Sequence, residues 1–198
     1  MTLNLTLYTF KVSLWGAAPR LTINELNISN VKQIEIDISN ARNFSPSYLH
    51  INPKHTVPAL EIDEDGSKKY LNNTTSVIHY LNEITEPPRY VDVYHKSIQE
   101  SQSVLNVYQG ISDTKTMFAR NMQLWEVGKK NLDKAESLLN SNGDYLFGRH
   151  SVADLHFVPY LFRIIIVRKP EQVFENRLGL KAYYERAQVR PSFSKTFK

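Results

Sequence analysis

Asn52-Pro53-Lys54-His55-Thr56-Val57-Pro58-Ala59-Leu60 is the stretch whose reading decides the fold. A polar, turn-prone Asn-Pro start leads into Thr-Val-Pro and then into the apolar run Ala59-Leu60-Glu61-Ile62, which reads as a strand. Pro58 falls at the first position of that strand, where a missing N–H is tolerated. With a cis Val57–Pro58 bond the chain turns sharply, and the Val57 backbone N–H and C=O point outward. Cis bonds make up only about 5–6% of X-Pro bonds in folded proteins, so one here would be a built feature. A backbone pair presented in that way binds a peptide-like ligand as an added strand would. With a trans bond the same residues form an ordinary turn before a strand.

The flanking sequence gives the motif its setting. Upstream, Leu3, Leu5 and Leu7 alternate with Asn4, Thr6 and Tyr8, a half-buried strand over Leu3–Phe10. A helical pattern follows through Leu21, Ile23 and Leu26. Ile34, Ile36 and Ile38 then alternate within a second strand, Val31–Ile38. Downstream, Ala59–Ile62 and Lys68–Leu71 flank the Glu64-Asp65-Gly66 turn, which is a hairpin signal. Asn73 or Thr74 can cap the helix that carries Val77, Ile78, Tyr80 and Leu81. The order β-α-β and then β-β-α, with a proline turn before the third strand, is thioredoxin-like. It favours the cis form of Val57–Pro58.

The chain resembles soluble glutathione transferases along nearly its whole length. "NPKHTVPAL", the helix entry "NNTTSVIHYL" and "SVADLHFVPYL" follow one another in that family's order and spacing. "FSPSYLHINP" and "ADLHFVP" give it the look of plant phi-class enzymes and of fungal enzymes related to them. The resemblance implies an α/β thioredoxin-like N-terminal domain (1–84), a linker (85–91) and an all-α C-terminal domain (92–198). It also implies glutathione as co-substrate and a homodimer of two-fold symmetry. The linker is legible in its own right, because Thr85-Glu86-Pro87-Pro88-Arg89 places two prolines in a polar stretch.

Composition narrows the chemistry. Among 198 residues there is no cysteine, which excludes a disulfide, a thiolate metal site and a protein thiol nucleophile. The only reactive sulfur would belong to bound glutathione, and no metal site is expected. Hydrophobic residues at 41% suffice for a core, and no apolar run approaches the ~20 residues of a membrane helix. The start "MTLNLTLYTF" lacks a basic segment and a long apolar block, so the expected location is cytoplasmic. The net charge of +4 is spread along the chain, and neither a nucleic-acid partner nor a membrane is expected.

The second half reads as helices. They are Val91–Gln109, Met117–Leu139 ended by "NSNGD", an apolar helix from Ser151 through Val167, and Arg177–Val189 as the last. Ser151 and Asp154 have the spacing of a reciprocal capping box, worth about 1 kcal/mol per good cap. His156, inside the apolar helix, reads as a packed core histidine.

For a glutathione transferase the chemistry is to bind glutathione, lower its thiol pKa and place an electrophile beside the sulfur. The resemblance puts Ser13 at the position of the hydroxyl that donates to the thiolate, which favours the charged form. Tyr8 is the alternative hydroxyl. Val57, Pro58, Thr56, His55, Asn73, Thr74 and Asn43 are the expected glutathione contacts, and Phe10, Lys11, Trp15 and Tyr108 the expected substrate pocket. Trp15 reads equally as core packing. The family places an acidic residue before the third helix and a cationic pair before the second, where this chain has Asn73 and Asn43-Phe44. A lost cation costs about 1–3 kcal/mol of charge-assisted hydrogen bonding, with Arg42, Lys54 or His55 available to replace it. The expected function is therefore addition of glutathione to an apolar electrophile, or its glutathione-dependent isomerisation, in detoxification or secondary metabolism. The competing expectation is a non-catalytic binding or regulatory protein on the same fold.

Overall fold

A computed structural model describes residues 3–85 and 114–197. The expected helix Val91–Gln109, the linker beyond Thr85 and Tyr108 lie outside the described residues. The N-terminal domain runs β1 (Leu3–Thr9), α1 (Leu14–Leu26), β2 (Val31–Glu35), α2 (Pro46–Ile51), β3 (Ala59–Glu64), β4 (Ser67–Leu71) and α3 (Thr74–Glu83). The strands form one mixed sheet in the order β2-β1-β3-β4, with β1 parallel to β2 and antiparallel to β3. This is the thioredoxin-like arrangement expected from the sequence, and Val57–Pro58 is cis.

Strand alternation sorts the residues of β1. Leu5 and Leu7 turn to one face and pack with Ile23 of α1, Leu60 and Ile62 of β3, and Val77 and Leu81 of α3. Tyr8, one residue out of phase, turns to the other face beneath Tyr48 of α2, with ring centroids 6.0 Å apart. β2 ends earlier than its isoleucine alternation suggests. The Ile36 N–H still reaches Thr9 O at 2.7 Å, but the Asp37 side chain then accepts from the Asn40 N–H and starts a 3-10 turn at Ile38. A side-chain cap wins over the period-two pattern there.

The C-terminal region is helical: α4 (Thr114–Asn142), α5 (Val152–Arg168), α6 (Pro170–Phe174), α7 (Leu178–Gln188) and α8 (Pro191–Phe197). Gly143 stops α4 by taking a φ of +88° just past the helix, where a left-handed residue is needed. The expectation that Arg177–Val189 is the last helix is corrected by α8. Pro191 opens it at a first-turn position, where the missing N–H costs nothing, and Phe193 is buried against Phe162 and Tyr184. Burial first, and then His79, push the His156 imidazole down to about 4, so it is neutral at pH 7 as the core reading requires. Among the described residues, no helix is long and apolar enough to cross a membrane.

α1 is buried nearly all round because it lies between two cores. Ile23 faces the sheet, whereas Ala18, Leu21 and Leu26 join Ile78 of α3 in a second cluster with Leu132, Leu155 and Leu161. Its one buried acid, Glu25, ties it to the chain's end: Arg190 Nε donates to Glu25 Oε1 at 2.7 Å, and Arg190 Nη2 and Ser192 Oγ also donate to the carboxylate. Asn24 Nδ2 adds a bond to Thr196 Oγ1 at 2.8 Å. Burial works to raise the Glu25 carboxyl, but the Arg190 and Ser192 hydrogen bonds outweigh it, so the net shift is downward. A depressed carboxyl contributes stability above its unfolded pKa and loses it as pH falls through the folded value. Glu25→Gln is expected to cost about 1–3 kcal/mol at pH 7, as a charged hydrogen-bond network does. That penalty should shrink in acid, below the ordinary range of a glutamate. Urea unfolding of both proteins at neutral and acid pH measures it, and an equal penalty at both would remove the charge from the explanation.

Candidate functional site

The strand register brings the sequence-derived residues to one end of the sheet. Tyr8, next to the last residue of β1, pairs with Ala59, the residue after Pro58. Leu60 pairs with Leu71, two residues before Asn73. The end of β1, the cis-proline turn and the start of α3 are therefore neighbours. Ser13 caps α1 there, with its Oγ accepting from the Gly16 N–H at 3.2 Å. Asn73 caps α3, with its Oδ1 accepting from the Ser76 N–H at 2.8 Å. Thr74 Oγ1 donates to Trp15 O at 3.2 Å and locks the two helix starts together. Each start leaves orphan N–H groups and a positive dipole end, which together favour an anion.

Close approach of α1 to β1 depends on Gly16. A Cβ at that position would lie 2.4 Å from the Thr9 hydroxyl oxygen, so a side chain there requires either the Thr9 side chain or the first turn of α1 to shift. The sequence signal for this was a lone glycine at the start of a helix, which also fits packing that has no bearing on a site.

The cis-proline turn is held by a side chain that sequence reasoning left in the turn itself. Asn52 is completely buried; its Nδ2 donates to Thr56 O at 2.7 Å and to Thr56 Oγ1 at 3.1 Å, and its Oδ1 accepts from the Lys54 N–H at 3.0 Å. Tyr48 Oη donates to the same Thr56 carbonyl at 2.6 Å. The carbonyl before Val57 is therefore saturated from inside the protein. Val57 itself has a buried side chain, and it starts the backbone that leads into β3.

Other expected contacts are committed to the protein's own structure. Asn43 is buried, and its Nδ2 donates to His55 O at 2.8 Å. Phe44 is exposed and stacks on the His55 ring at 4.5 Å. Together these residues hold His55, which has a left-handed φ of +47°. Arg42, read as a replacement cation, lines a different hollow with Tyr8, Asp37 and Ser45. Thr74, expected as a glutathione contact, spends its hydroxyl proton on Trp15 O. Asn73 engages Ser76 through both ends of its amide, since its Nδ2 also donates to Ser76 Oγ at 2.9 Å.

The two candidate hydroxyls differ in situation. Tyr8 Oη donates to Glu61 Oε2 at 3.2 Å on the α2 side of the sheet, and Glu61 also pairs with Lys68 Nζ at 2.8 Å. Burial first, and then Glu61, push the Tyr8 phenol up to about 12. Ser13 uses a lone pair on the Gly16 N–H, which leaves its hydroxyl proton for a partner beyond the helix. Of the expected substrate pocket, Phe10 is half-buried and Lys11 exposed. Trp15 is 51% exposed, which sets aside its reading as core packing.

Residues 7–89 match the family model of the glutathione S-transferase N-terminal domain. No curated protein matches the sequence at a significant level. Among solved structures, glutathione transferase F7 from Populus trichocarpa is 24% identical over 97% of this chain and 97% of that one, with a TM-score of 0.72. Glutathione transferase URE2P8 from Phanerochaete chrysosporium, solved with oxidized glutathione, is 17% identical over 100% of this chain and 95% of that one, at 0.77. Gtt2 from Saccharomyces cerevisiae is 19% identical over 96% and 99%, at 0.76. Over residues 7–89 the chain is similar to glutathione S-transferase N-terminal domains, and as a whole it has the glutathione transferase fold.

Proposed function

We propose that this protein is a glutathione transferase, binding glutathione where the starts of α1 and α3 meet the Val57–Pro58 turn. The observation that carries the reading is the Thr74 Oγ1 to Trp15 O bond at 3.2 Å, which joins two helix N-termini at the sheet end where the Val57–Pro58 turn lies. A tripeptide with two carboxylates and a thiolate suits two positive helix ends and a backbone pair beside a cis-proline turn. In this reading the Val57 backbone pairs with the cysteinyl part of glutathione. The orphan N–H groups of α3, left open once the Asn73 and Thr74 side chains are spent, take the γ-glutamyl carboxylate. Ser13 donates to the thiolate and stabilises its charged form.

The electrophile enters from the side of Trp15 and Phe10, whose rings supply apolar surface, so the substrate is an apolar electrophile. The reaction is then addition of the thiolate to that electrophile, with loss of a leaving group or a proton shift depending on its chemistry. Glutathione recognition is weaker than in a site with charged partners, because Asn73, Thr74 and Asn43 bond their own chain. The same observation favours a second reading, a binding or regulatory protein on this fold, and a glutathione titration separates the two: binding supports the enzyme, and its absence supports the other. The protein is further proposed to be a homodimer of two-fold symmetry. Sedimentation at micromolar concentration should give about twice the chain mass of 22.9 kDa, and a monomer there would end that proposal.

A further inference from the structure

We propose that Pro19 is a positioning residue that sets glutathione affinity through Thr74: the Trp15 carbonyl it leaves without a helical donor captures the Thr74 hydroxyl and keeps it from the ligand's γ-glutamyl carboxylate. The proposal rests on the glutathione reading above and concerns the same junction of α1 and α3.

In an α-helix each carbonyl accepts from the N–H four residues on. For Trp15, the second residue of α1, that donor would belong to residue 19. Residue 19 is a proline, inside the helix and buried, and it has no N–H to give. Its ring also crowds the carbonyl four residues back, which turns that oxygen off the helical ladder. A backbone acceptor left unpaired away from water costs about as much as a lost hydrogen bond. Thr74 Oγ1 supplies the donor at 3.2 Å, from 59 residues along the chain.

A threonine hydroxyl has one proton. With that proton on Trp15 O, Thr74 offers an incoming carboxylate only lone pairs. Thr74 is the first residue of α3, beside the N–H groups that take the carboxylate in this reading. The bond is not what holds the helices together. Ala18 and Leu21 of α1 share a buried cluster with Ile78 of α3, and Ile23 shares the other with Val77 and Leu81. A donor restored at position 19 satisfies Trp15 O from within α1, and it frees the hydroxyl while both helix starts stay in place.

Glutathione calorimetry on Pro19→Ala and Pro19→Val tests this, the second restoring the same N–H with a side chain closer to proline in volume. Each should bind glutathione about tenfold more tightly than the native chain, as one added charge-assisted hydrogen bond does. Thr74→Val alone should leave the affinity nearly unchanged, because the hydroxyl is already engaged. In the Thr74→Val background, Pro19→Ala should no longer tighten binding, whereas a purely structural change in α1 would act with or without the hydroxyl. Urea unfolding without ligand gives a second readout. Thr74→Val should lower the midpoint of the native chain, where it strips Trp15 O of its donor, by more than it lowers that of Pro19→Ala. Unchanged or weaker binding in both Pro19 variants, tightening that persists in the Thr74→Val background, or equal midpoint losses would each overturn the proposal. If no form binds glutathione while the midpoints differ, the glutathione reading fails and the affinity role with it, whereas the capture of Thr74 by Trp15 stands.

Discussion

Ser13→Ala is expected to lower turnover of a generic aromatic electrophile by about 10²-fold, the cost of one lost donor to a reacting anion. Glutathione affinity should stay within a few-fold, because the hydroxyl acts mainly on the charged sulfur and the rest of the tripeptide is held elsewhere. The serine also caps α1 through the Gly16 N–H, and loss of a cap costs about 1 kcal/mol on its own. Two readouts separate these effects. Ser13→Thr keeps both cap and hydroxyl and should restore most of the rate. The acid limb of the pH-rate profile, which reports ionisation of the bound thiol, should move to higher pH in Ser13→Ala, whereas loss of a cap alone leaves it in place. Unchanged turnover would remove Ser13 from the chemistry.

The largest stability effect is expected at Asp154. It is completely buried at the start of α5, and its carboxylate is the common acceptor for the Ser151 N–H at 2.8 Å, Ser151 Oγ at 2.9 Å, Tyr183 Oη at 3.0 Å and the Leu146 N–H at 3.4 Å. Burial first, and then Asp154, hold the Tyr183 phenol well above its ordinary range, so it remains a donor at any working pH. Asp154→Ala leaves all these donors buried and unmatched, which should cost about 3–5 kcal/mol. Against a total stability of about 5–15 kcal/mol, that is a large share. At about 2–4 °C per kcal/mol for a chain of this size, Tm should fall by roughly 10 °C. A fall equivalent to less than about 1 kcal/mol would mean that water replaces the carboxylate at little cost.

The sequence carried the fold because its local signals agreed with one another. Leucine alternation in β1, the Glu64-Asp65-Gly66 turn, the Asn73 cap and the Ser151–Asp154 pair each specified an element that formed. Where two local signals competed, the pattern misled: the isoleucine alternation ran on to Ile38, but the Asp37 cap ended β2 at Glu35. Arg177–Val189 read as the last helix, yet Pro191 begins α8 and brings Phe193 into the core. The site was legible only as a set of positions. The family resemblance pointed to Ser13, Val57 and Thr74, but could not show that Thr74 spends its hydroxyl on Trp15 O or that Asn43 faces inward to His55. Those are contacts between residues far apart in the chain, and they follow from the way the helices dock. Asn52 was visible as a turn former, and its role in saturating Thr56 O appeared only once α2 and the turn were set side by side.

The reading as a glutathione transferase stands or falls on whether the junction of α1, α3 and the cis-proline turn takes up glutathione. A thermal-shift titration of the full chain with reduced glutathione measures this most directly, since a ligand that binds only the folded state stabilises it by RT ln(1 + [L]/Kd). With a Kd near 1 mM, about 10 mM ligand should add roughly 1.4 kcal/mol and raise Tm by about 3–6 °C. A flat Tm across the millimolar range would contradict the site and leave the fold without its proposed ligand.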